Sequence, residues 1–572
     1  MHQTYKYKRG LFPINLLRVL PVFLLLTIAS LAAFSALNVY IVPVPQFAFI
    51  LTMSCMFITM LGLVFSLIHI PLQNRVYSQL LPHGLVITIF SLSVIKLCTT
   101  GFSADDEIYS WNMWAIQHYQ GQPASFQFTG APYPQFFSYW IAGMYHALGT
   151  ITAHSIPRLF LALPALLIPV SVIALAKISN WRVSVLISLV LIFAFRPILD
   201  KLGQGLADPL MSSAMILSAM LLISYAYEPK KTGWLWLAVI CGVIASLTKQ
   251  AGLIWACFSL PLTVAFGYSH YKWPRKTVLI ACAGMLFAAI WPLWIAPTFI
   301  NNPGVVSASM GSRSYFQQFV FAINKYLVTK PEVLLLFITC GLAVWRHAFL
   351  RLLFFSALMP MLLAWLVFGS YSMRLGMHVL ALAGLLTACS LSTSMAARAN
   401  ADFEIQKHPI QLSNMFIAAI ITILIFCVLV IRVFSLASQK DIDLKDGAKT
   451  TLRIQYGPES TKIFDPILKD GKKIWATSNY SYGAFYGRLP VSFPNYAIQP
   501  YNIDSVKKEL LLFEADYAIY SGKVPYGPAS ELLKILAQKC PRALIPILQP
   551  PNQYNFVLYK VDRLALSKEV CE

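Results

Sequence analysis

Three consecutive acids, Asp105, Asp106 and Glu107, lie in the segment GFSADDEIYSWNMWAIQHYQGQ at residues 101–122. The first 434 residues contain only nine acids, so a third of them lie in this one segment. Carboxylates packed together beside a nonpolar phase repel one another, which raises the pKa of at least one of them. A carboxyl group with a raised pKa is suited to act as a general base. We therefore predict catalytic acids here, with Asp106 as the first choice for the base and its two neighbours as substitutes.

The same acids have a simpler interpretation as the start of a helix. Ser103 could cap that helix, with Asp106 three residues further on, and acids at a helix N-terminus complement the helix dipole. Trp111 and Trp114 follow in the same segment and are typical of the interface between water and lipid. The segment is therefore predicted to form a helix that lies on the outer membrane surface.

A base at a membrane surface fits the transfer of a group from a lipid-linked donor to an acceptor hydroxyl. The carboxylate takes the acceptor proton, and the departing lipid phosphate needs a cation to balance its growing negative charge. Lys249 could supply a point charge, and Arg374 a guanidinium fork that suits a phosphate. His378 lies one turn beyond Arg374 and could share that task. An arginine at the outer end of a helix departs from the positive-inside tendency, which favours a role for Arg374.

Each further candidate has an ordinary alternative. Lys249 could be a lysine that snorkels to the interface, and His378 a locally satisfied histidine. Asp208, in GQGLADPL, is either a helix-starting acid or a group that orients the acceptor or a cation, since acids at membrane boundaries are costly. Arg313 lies in a loop rich in Gly, Ser and Asn that could close over the donor, or it is simply solvated. Arg158 is a phosphate ligand only if it faces outside.

No cofactor-binding motif is present in the sequence. Its cysteines and histidines lack the spacing of a zinc site, and neither a Walker loop nor a Rossmann glycine pattern occurs. Direct use of ATP or a nucleotide sugar is therefore unsupported. The three acids could hold a divalent cation, although the chemistry does not require one.

The composition excludes a soluble protein of several domains. Of the 572 residues, 58% are hydrophobic and 12% are charged, whereas soluble chains are about 45–50% apolar and about 25% charged. The formal charge of +21 comes mostly from a scarcity of acids, because the first 434 residues hold 26 basic and nine acidic residues. The remaining residues hold 18 basic and 14 acidic residues. The basic excess therefore does not indicate nucleic-acid binding.

Apolar runs of about 17–25 residues predict membrane-spanning helices. Such runs lie near residues 17–41, 47–71, 81–99, 133–149, 156–178, 183–198, 206–226, 233–248, 252–268, 276–297, 332–346, 350–369, 375–393 and 411–434. The predicted fold is mainly α, a polytopic membrane protein with about 13–15 spanning helices. Basic residues predict the inside loops. They place the N-terminus in the cytoplasm, and the loops 100–132 and 298–331 and everything after 434 outside.

The predicted crossings are inconsistent at one point. Four apolar runs lie between residues 132 and 228, although a chain that passes from outside to inside needs an odd number. Either the 133–149 run does not cross fully, or a short helix near 196–208 crosses as well. The side on which Arg158 lies depends on this choice.

Residues 435–572 have a different pattern of apolar and polar residues, with short strand-like runs in place of long apolar runs. KIWATSN, ADYAIYS and YNFVLYKV are typical of short strands, and SVKKELLLFE of a helix between them. We predict a small extracytoplasmic α/β domain after residue 434. Cys540 and Cys571 could pair there, because disulfides persist outside the cytoplasm.

Several motifs, in their order along the chain, resemble the GT-C superfamily of membrane glycosyltransferases. The likeness is greatest to the bacterial branch related to protein O-mannosyltransferases and aminoarabinose transferases, and it covers roughly residues 85–395. The motifs are Asp106-Glu107 with Trp111 and Ala115, Tyr133-Pro134, Leu148-Gly149, the Arg158 segment IPRLFLAL, Ala207-Asp208-Pro209, Leu247-Thr248-Lys249 before Gly252, Trp291-Pro292-Leu293-Trp294, and Arg374 with His378.

The resemblance implies many spanning helices, a polyprenyl-phosphate sugar donor and an Asp of the first outer loop as base. It adds Tyr133 to the candidate substrate-binding residues. The family's loop has one Asp-Glu pair, so the extra Asp105 leaves the base open among the three acids. The helices within residues 1–80 are additional to the simplest family pattern, and residues 81–434 are the expected catalytic region.

These features predict an inverting glycosyltransferase of a bacterial inner membrane, with an envelope lipid, glycan or protein as acceptor. A transporter or flippase for lipid-linked sugars is the first alternative. Such proteins place ionisable residues at mid-membrane and often contain internal repeats, which this sequence lacks. A polysaccharide polymerase or ligase is the second alternative. A non-enzymatic scaffold does not explain three adjacent acids at an interface.

Overall fold

Long apolar helices make up most of the chain, since a helix satisfies its backbone hydrogen bonds internally, as a bilayer requires. The computed structural model describes residues 12–73, 80–99, 107–121, 133–151, 155–175, 181–195, 202, 206–229, 231–301, 314–345, 347–369, 372–399, 460–477, 491–492, 502–521, 529–548 and 556–568. In that part, seven helices are long and apolar enough to cross a membrane, or eight if the pair Tyr315–Val328 and Pro331–Val344, bent by 91°, forms one span. The chain is a mainly α, multi-pass membrane protein, as predicted.

The helices of the membrane region are numbered here in chain order. They are α1 (Phe12–Tyr40), α2 (Gln46–Gln73), α3 (Leu80–Thr99), a π-helical turn (Glu107–Asn112) leading into α4 (Met113–Tyr119), α5 (Phe136–Leu148), α6 (Ser155–Leu161), α7 (Leu163–Leu175), α8 (Trp181–Phe195), α9 (Ala207–Tyr227), α10 (Thr232–Thr248), α11 (Ala251–Tyr271), α12 (Arg275–Asn301), α13 (Tyr315–Val328), α14 (Pro331–Val344), α15 (Ala348–Phe368), a 3-10 turn (Met373–Gly376) and α16 (Met377–Ala399).

Arg18, near the start of α1, marks one end of the helix bundle. Its Nε donates a hydrogen bond of 3.4 Å to the carbonyl of Ala174, at the end of α7. It also lies within electrostatic range of Glu228, which follows α9, and of Cys389 in the second half of α16. The spans α6–α7, α9 and α16 therefore all finish near Arg18. Their first residues lie at the opposite end, which we call the Asp208 end.

Helix α5 lies at the Asp208 end and does not cross the bundle. Tyr139 donates to Tyr40 at 3.1 Å, and His146 contacts Asn38 at 3.4 Å, so both halves of α5 meet the last residues of α1. Thirteen residues of helix span about 20 Å, less than the roughly 30 Å of a hydrocarbon core. The close crossing needs Gly143, because a Cβ there would lie 2.8 Å from the Leu31 carbonyl oxygen.

This placement favours the first of the two predicted topologies, in which the 133–149 run does not cross. Spans α6–α7 and α9 then run in the same direction, with α8 returning between them. The contact between Ser213 of α9 and the carbonyl of Pro164 in α7 agrees with that direction, because each residue lies shortly after the start of its span. Arg158 therefore lies at the Asp208 end.

The helix predicted after the acidic segment is present, but its tryptophans are not at an interface with lipid. Trp111 and Trp114 are both buried within the protein. The ring of Trp111 lies 5.5 Å from the rings of both Tyr133 and Phe137, in edge-on contacts. Aromatic rings gain from such edge-to-face packing in addition to the area they bury. Helix α4 thus packs against α5 inside the protein, and does not lie on the membrane surface as predicted.

The C-terminal residues form a five-stranded mixed sheet with helices. The elements are α17 (Ser460–Lys469), β1 (Ile474–Ala476), β2 (Val491–Ser492), α18 (Ile503–Leu512), β3 (Tyr517–Ser521), α19 (Ala529–Lys539), β4 (Leu544–Leu548), β5 (Phe556–Val561) and α20 (Arg563–Lys568). The strand order is β2-β1-β3-β5-β4, in which β1 pairs in parallel with β2 and β3, and β5 pairs antiparallel with β3 and β4. The three predicted strands and the predicted helix are present in this region.

The two faces of this sheet have different partners, because side chains alternate along each strand. On one face, Trp475 and Ala518 belong to an apolar cluster with Val506 of α18 and Leu533 of α19. On the other face, Ile474 and Ile519 belong to the apolar cluster that also contains the membrane helices; its further members include Phe464, Phe556 and Leu558. The sheet thus has α18 and α19 on one face, and on the other face Phe464 of α17, which stacks on Phe556.

Cys540, directly after α19, is disulfide-bonded. The six other cysteines whose side chains are described are free. The predicted partner, Cys571, lies outside the described residues. The pairing of Cys540 with Cys571 therefore stays a prediction.

Candidate functional site

Four polar side chains meet at the Asp208 end of the bundle, and we call them the buried ionic cluster: Asp208, Lys249, Arg374 and His378. Asp208 Oδ1 lies 2.6 Å from Lys249 Nζ, and Asp208 Oδ2 lies 3.8 Å from Arg374 Nε. His378 is buried and lies within electrostatic range of both Asp208 and Lys249. The structure thus brings together four residues that the sequence singled out separately.

Each member of the cluster sits where a helix begins or ends. Asp208 is the second residue of α9, where a carboxylate complements the helix dipole. Lys249 follows the last residue of α10 and has an extended backbone, with φ of −159° and ψ of 151°. Arg374 lies in the 3-10 turn, and His378 in the first turn of α16. Three chain segments far apart in sequence therefore converge at one end of the bundle.

The cluster carries an excess of positive charge in a place where charge is costly. Asp208 is 1% exposed and Lys249 is 8% exposed, while the Arg374 side chain is 19% exposed. With His378 neutral, two cations face one anion. Burying ions costs several kcal/mol for each unless they are well paired. A site of this kind fits an anionic ligand, which would balance the remaining positive charge.

Oδ2 of Asp208 and Nδ1 of His378 are both buried, and neither has a hydrogen-bond partner within the described part of the chain. Buried polar atoms are usually hydrogen-bonded, so such exceptions often mark places where a ligand binds. The side chain of Arg374 is the most exposed of the four. A ligand can therefore approach the cluster from the side on which Arg374 lies.

The turn that carries Arg374 is supported by Trp365 of α15. The indole Nε1 of Trp365 donates a hydrogen bond of 3.4 Å to the carbonyl of Ser372. The same ring lies against Gly376, where an added Cβ would be 2.5 Å from an indole carbon. The ring also contacts Tyr326 of α13, at 5.1 Å between centroids. Trp365 thus fixes both ends of the turn that positions the guanidinium.

The supporting residues Trp365 and Gly376 were not found by sequence reasoning. Their contact joins the end of one helix to the turn before another, and neither residue type has a spacing that signals it. The one available hint is that a glycine directly precedes α16, where the chain needs room to pass a large neighbour.

The other predicted residues lie elsewhere or outside the described part. Arg158 is buried in α6, at the Asp208 end, which settles its side within the bundle. Tyr133 packs on Trp111 and Trp114, in the aromatic cluster between α4 and α5. Asp105, Asp106 and Arg313 lie outside the described residues. The backbone of Glu107 begins the π-helical turn, but its side chain is not among those described.

No group of three or more His, Cys, Asp or Glu side chains that could hold a metal ion occurs among the described residues. The three acids that could hold a divalent cation, Asp105, Asp106 and Glu107, have no described side chain.

No protein-family model and no curated protein sequence matches the chain. Among solved structures, ArnT from Cupriavidus metallidurans bound to undecaprenyl phosphate matches with 15% identity and a TM-score of 0.43, over 83% of this chain and 97% of that one. The apo form of the same protein matches with 13% identity and a TM-score of 0.42, over 84% and 98%.

A second solved protein also matches. It is the archaeal oligosaccharyltransferase AglB from Archaeoglobus fulgidus, in complex with an inhibitory peptide and a dolichol-phosphate. The identity is 12% and the TM-score 0.40, over 77% of this chain and 69% of that one.

Proposed function

We propose that this protein is a GT-C-type glycosyltransferase of a bacterial inner membrane. It would move a sugar from a polyprenyl-phosphate donor to a hydroxyl of an extracytoplasmic lipid, glycan or protein. The observation that carries the proposal is the buried ionic cluster, which holds an excess of positive charge at one end of an apolar helix bundle. Such a place suits a ligand with an anionic head and an apolar tail.

The cations of the cluster would hold the donor phosphate. Lys249 offers a compact ammonium, and Arg374 offers a planar fork that can bind two phosphate oxygens. Both would also stabilise the lipid phosphate as it leaves with its growing negative charge. His378 would add a hydrogen bond from its ring. Arg158, at the same end, and Arg313, which precedes α13 in the sequence, are further candidates for contacts with the donor.

The base would come from the acidic segment, with Asp106 as the first choice. Helix α3 begins near the end of α2, since His83 Nδ1 donates a hydrogen bond of 2.7 Å to the Leu67 carbonyl oxygen. Helix α3 therefore finishes at the Asp208 end. The connection from Thr99 to the turn at Glu107 starts and finishes near that end. This supports placing Asp105 and Asp106 on the same side as the cluster.

The reaction would proceed by direct displacement. The carboxylate takes the proton of the acceptor hydroxyl, and the acceptor oxygen forms a bond to the anomeric carbon. The bond from that carbon to the phosphate oxygen breaks, and its electron pair leaves with the lipid phosphate. Attack from the face opposite the phosphate inverts the configuration at the anomeric carbon. The C-terminal domain would recognise the acceptor or cover the site.

The orientation in the membrane follows from charge. Arg18 and the other basic residues of the N-terminus favour the cytoplasm for the Arg18 end, which puts the Asp208 end outside. The disulfide at Cys540 supports an extracytoplasmic C-terminal domain, because the cytoplasm keeps thiols reduced.

The position of the cluster favours a transferase over a transporter. Transporters generally place their ionisable residues near the middle of the membrane, on broken helices. Asp208 and Lys249 instead lie at the ends of their helices, beside the Arg374 side chain, which is 19% exposed. The ionic cluster alone does not separate single-sugar transfer from polymerisation, for which the mass of the modified acceptor is the deciding measurement.

Binding of a polyprenyl monophosphate to the purified full-length protein tests the phosphate site. We expect Lys249→Gln and Arg374→Ala to weaken binding by about tenfold or more each, because each removes a charged partner. Lys276→Gln, at the start of α12 and near the Arg18 end, is the matched control and should bind as the wild type does. Equal binding by all four proteins would contradict the assignment.

The base is tested by transfer rather than by binding. Asp106→Asn should retain polyprenyl-phosphate binding but lose transfer by about a hundredfold or more, because a positioned base contributes 10²–10⁴-fold. The same change at Asp105 or Glu107 shows whether a neighbour substitutes for it. Intact transfer by well-folded Asp106→Asn protein would refute the choice of Asp106.

A further inference from the structure

The buried ionic cluster contains its own anion. Asp208 Oδ1 lies 2.6 Å from Lys249 Nζ, and both side chains are almost completely buried. A phosphate oxygen binds an ammonium at the same distance as a carboxylate oxygen does. A phosphate that binds Lys249 must therefore share this cation with Asp208 or displace the carboxylate from it.

The contact of Asp208 with Arg374 is looser. Oδ2 lies 3.8 Å from Nε of Arg374, which is too far for a hydrogen bond, and this oxygen has no hydrogen-bond partner in the described part of the chain. An ionised carboxylate can only accept hydrogen bonds, and so can a fully ionised phosphate. The two anions therefore compete for the same donors and cannot bond to each other.

We propose that Asp208 is a built-in counter-ion that competes with the lipid phosphate for Lys249 and Arg374. This inference rests on the proposed function and refines the role of one residue in it. A phosphate at Lys249 lies within a few ångströms of the Asp208 carboxylate, and like charges repel strongly in a site that excludes water. Asp208 thereby weakens retention of the spent lipid phosphate and favours its release.

The proposal predicts an effect of opposite sign to that of a residue that merely builds the site. Asp208→Asn removes the competing charge and leaves Lys249 buried without its closest anion, a state that a phosphate relieves. We expect this variant to bind a polyprenyl monophosphate about tenfold more tightly than the wild type. Binding of the uncharged polyprenol should not change, because only the head group meets the cluster.

The test measures the affinity of both lipids for the purified full-length protein in nanodiscs. Glu228→Gln is the matched control, because Glu228 follows the other end of α9 and also pairs with a lysine at 2.6 Å, Lys231. It should bind both lipids as the wild type does. Equal or weaker phosphate binding by Asp208→Asn would overturn the proposal. A wild type that binds no polyprenyl phosphate at all would instead contradict the proposed function.

A double variant keeps the proposal testable if Asp208→Asn does not fold. Asp208→Asn combined with Lys249→Gln removes the anion and one cation together, so the net charge of the cluster is unchanged. We expect its affinity for the phosphate to stay within a few-fold of the wild type, while Lys249→Gln alone binds most weakly. Loss of about tenfold or more in the double variant would overturn the proposal, because the pair would then be needed to build the site.

Discussion

At the residue scale, the central feature is a carboxylate that two basic side chains share. The cost of an acid at a membrane boundary made Asp208 conspicuous in the sequence, and Arg374 stood out as an arginine at the outer end of a helix. Neither argument shows that Asp208 and Lys249 meet, because they lie 41 positions apart in the sequence. Their pairing follows from how α9, α10 and the turn before α16 converge.

The stability of the protein should depend on whether the buried charges of Asp208 and Lys249 are both present or both absent. Lys249→Met leaves Asp208 buried with only its looser contact to Arg374, so we expect a loss of about 3 kcal/mol in the free energy of unfolding. Asp208→Leu combined with Lys249→Met removes both charges and should lie within about 1–2 kcal/mol of the wild type. Denaturant unfolding of the purified protein measures both. A double variant less stable than Lys249→Met would contradict the prediction, because the unpaired charge of Asp208 would then not be the cause of the loss.

At the element scale, short turns between helices position the site, and local sequence determines them only in part. The long apolar runs predicted helices such as α9, α10 and α11 well, because their length and hydropathy reflect the bilayer. Hydropathy alone could not show that the 133–149 run lies at the Asp208 end without crossing the membrane. Helix α5 is apolar because it contacts other helices, and not because it faces lipid. It packs against α1, α2 and α4 inside the protein, and tertiary contacts decide such cases.

Gly376 tests whether packing controls Arg374. Gly376→Ala adds a methyl group only 2.5 Å from the Trp365 indole, so either the ring or the 3-10 turn must move. We expect polyprenyl-phosphate binding to weaken about tenfold, because a shift of the turn displaces the guanidinium. In an Arg374→Ala background the same change should have little further effect on binding.

Gly84→Ala provides the matched control for that substitution. A Cβ at Gly84 meets nothing within 4 Å, so this variant should bind as the wild type does. Trp365→Phe in the Gly376→Ala protein makes room for the methyl group and should recover part of the affinity. Additive effects of Gly376→Ala and Arg374→Ala would show that the glycine acts by another route.

The C-terminal sheet offers a pH-dependent contact outside the membrane. Lys473, directly before β1, bonds to Glu514 at 2.7 Å, and this bond lowers the pKa of the Glu514 carboxyl below its usual 4.5. A carboxyl with a lowered pKa stabilises the fold above its unfolded pKa, and this contribution disappears as pH falls through the folded pKa.

We therefore expect Glu514→Gln to reduce the acid sensitivity of the domain. The thermal unfolding midpoint of the wild type should fall slightly more between about pH 6 and about pH 3 than that of Glu514→Gln. The difference should shrink in high salt, because the pair is exposed and screened by ions. A larger acid shift in the variant than in the wild type would contradict the prediction.

At the scale of the whole molecule, the sequence predicted a multi-pass helical region followed by an α/β domain. Period-two patterns such as YNFVLYKV identified the strands because one face of each strand meets α18 and α19. What the patterns could not predict is that the other face joins the apolar cluster of the membrane region. The members of that cluster lie hundreds of positions apart in the sequence. The spacing of apolar residues within one strand therefore cannot predict it.

The orientation of the molecule can be tested at its two ends. Asp504→Cys, in α18, should react with a membrane-impermeant maleimide in intact cells, because the C-terminal domain is expected outside. Lys276→Cys, at the Arg18 end, should react only after the membrane is opened. The native protein provides the background for its own exposed thiol, Cys282. The reverse pattern would place the site in the cytoplasm and exclude an extracytoplasmic acceptor.

The most direct test of the central claim follows the fate of the lipid carrier. Membranes from cells that lack the protein should accumulate sugar-charged polyprenyl phosphate. We expect added wild-type protein to convert this lipid to free polyprenyl phosphate while an envelope molecule gains the mass of one sugar, as measured by mass spectrometry. Asp106→Asn should leave the charged lipid intact. If the wild type moves the charged lipid across the membrane unchanged, or if no molecule gains the sugar, the protein is not the transferase proposed here.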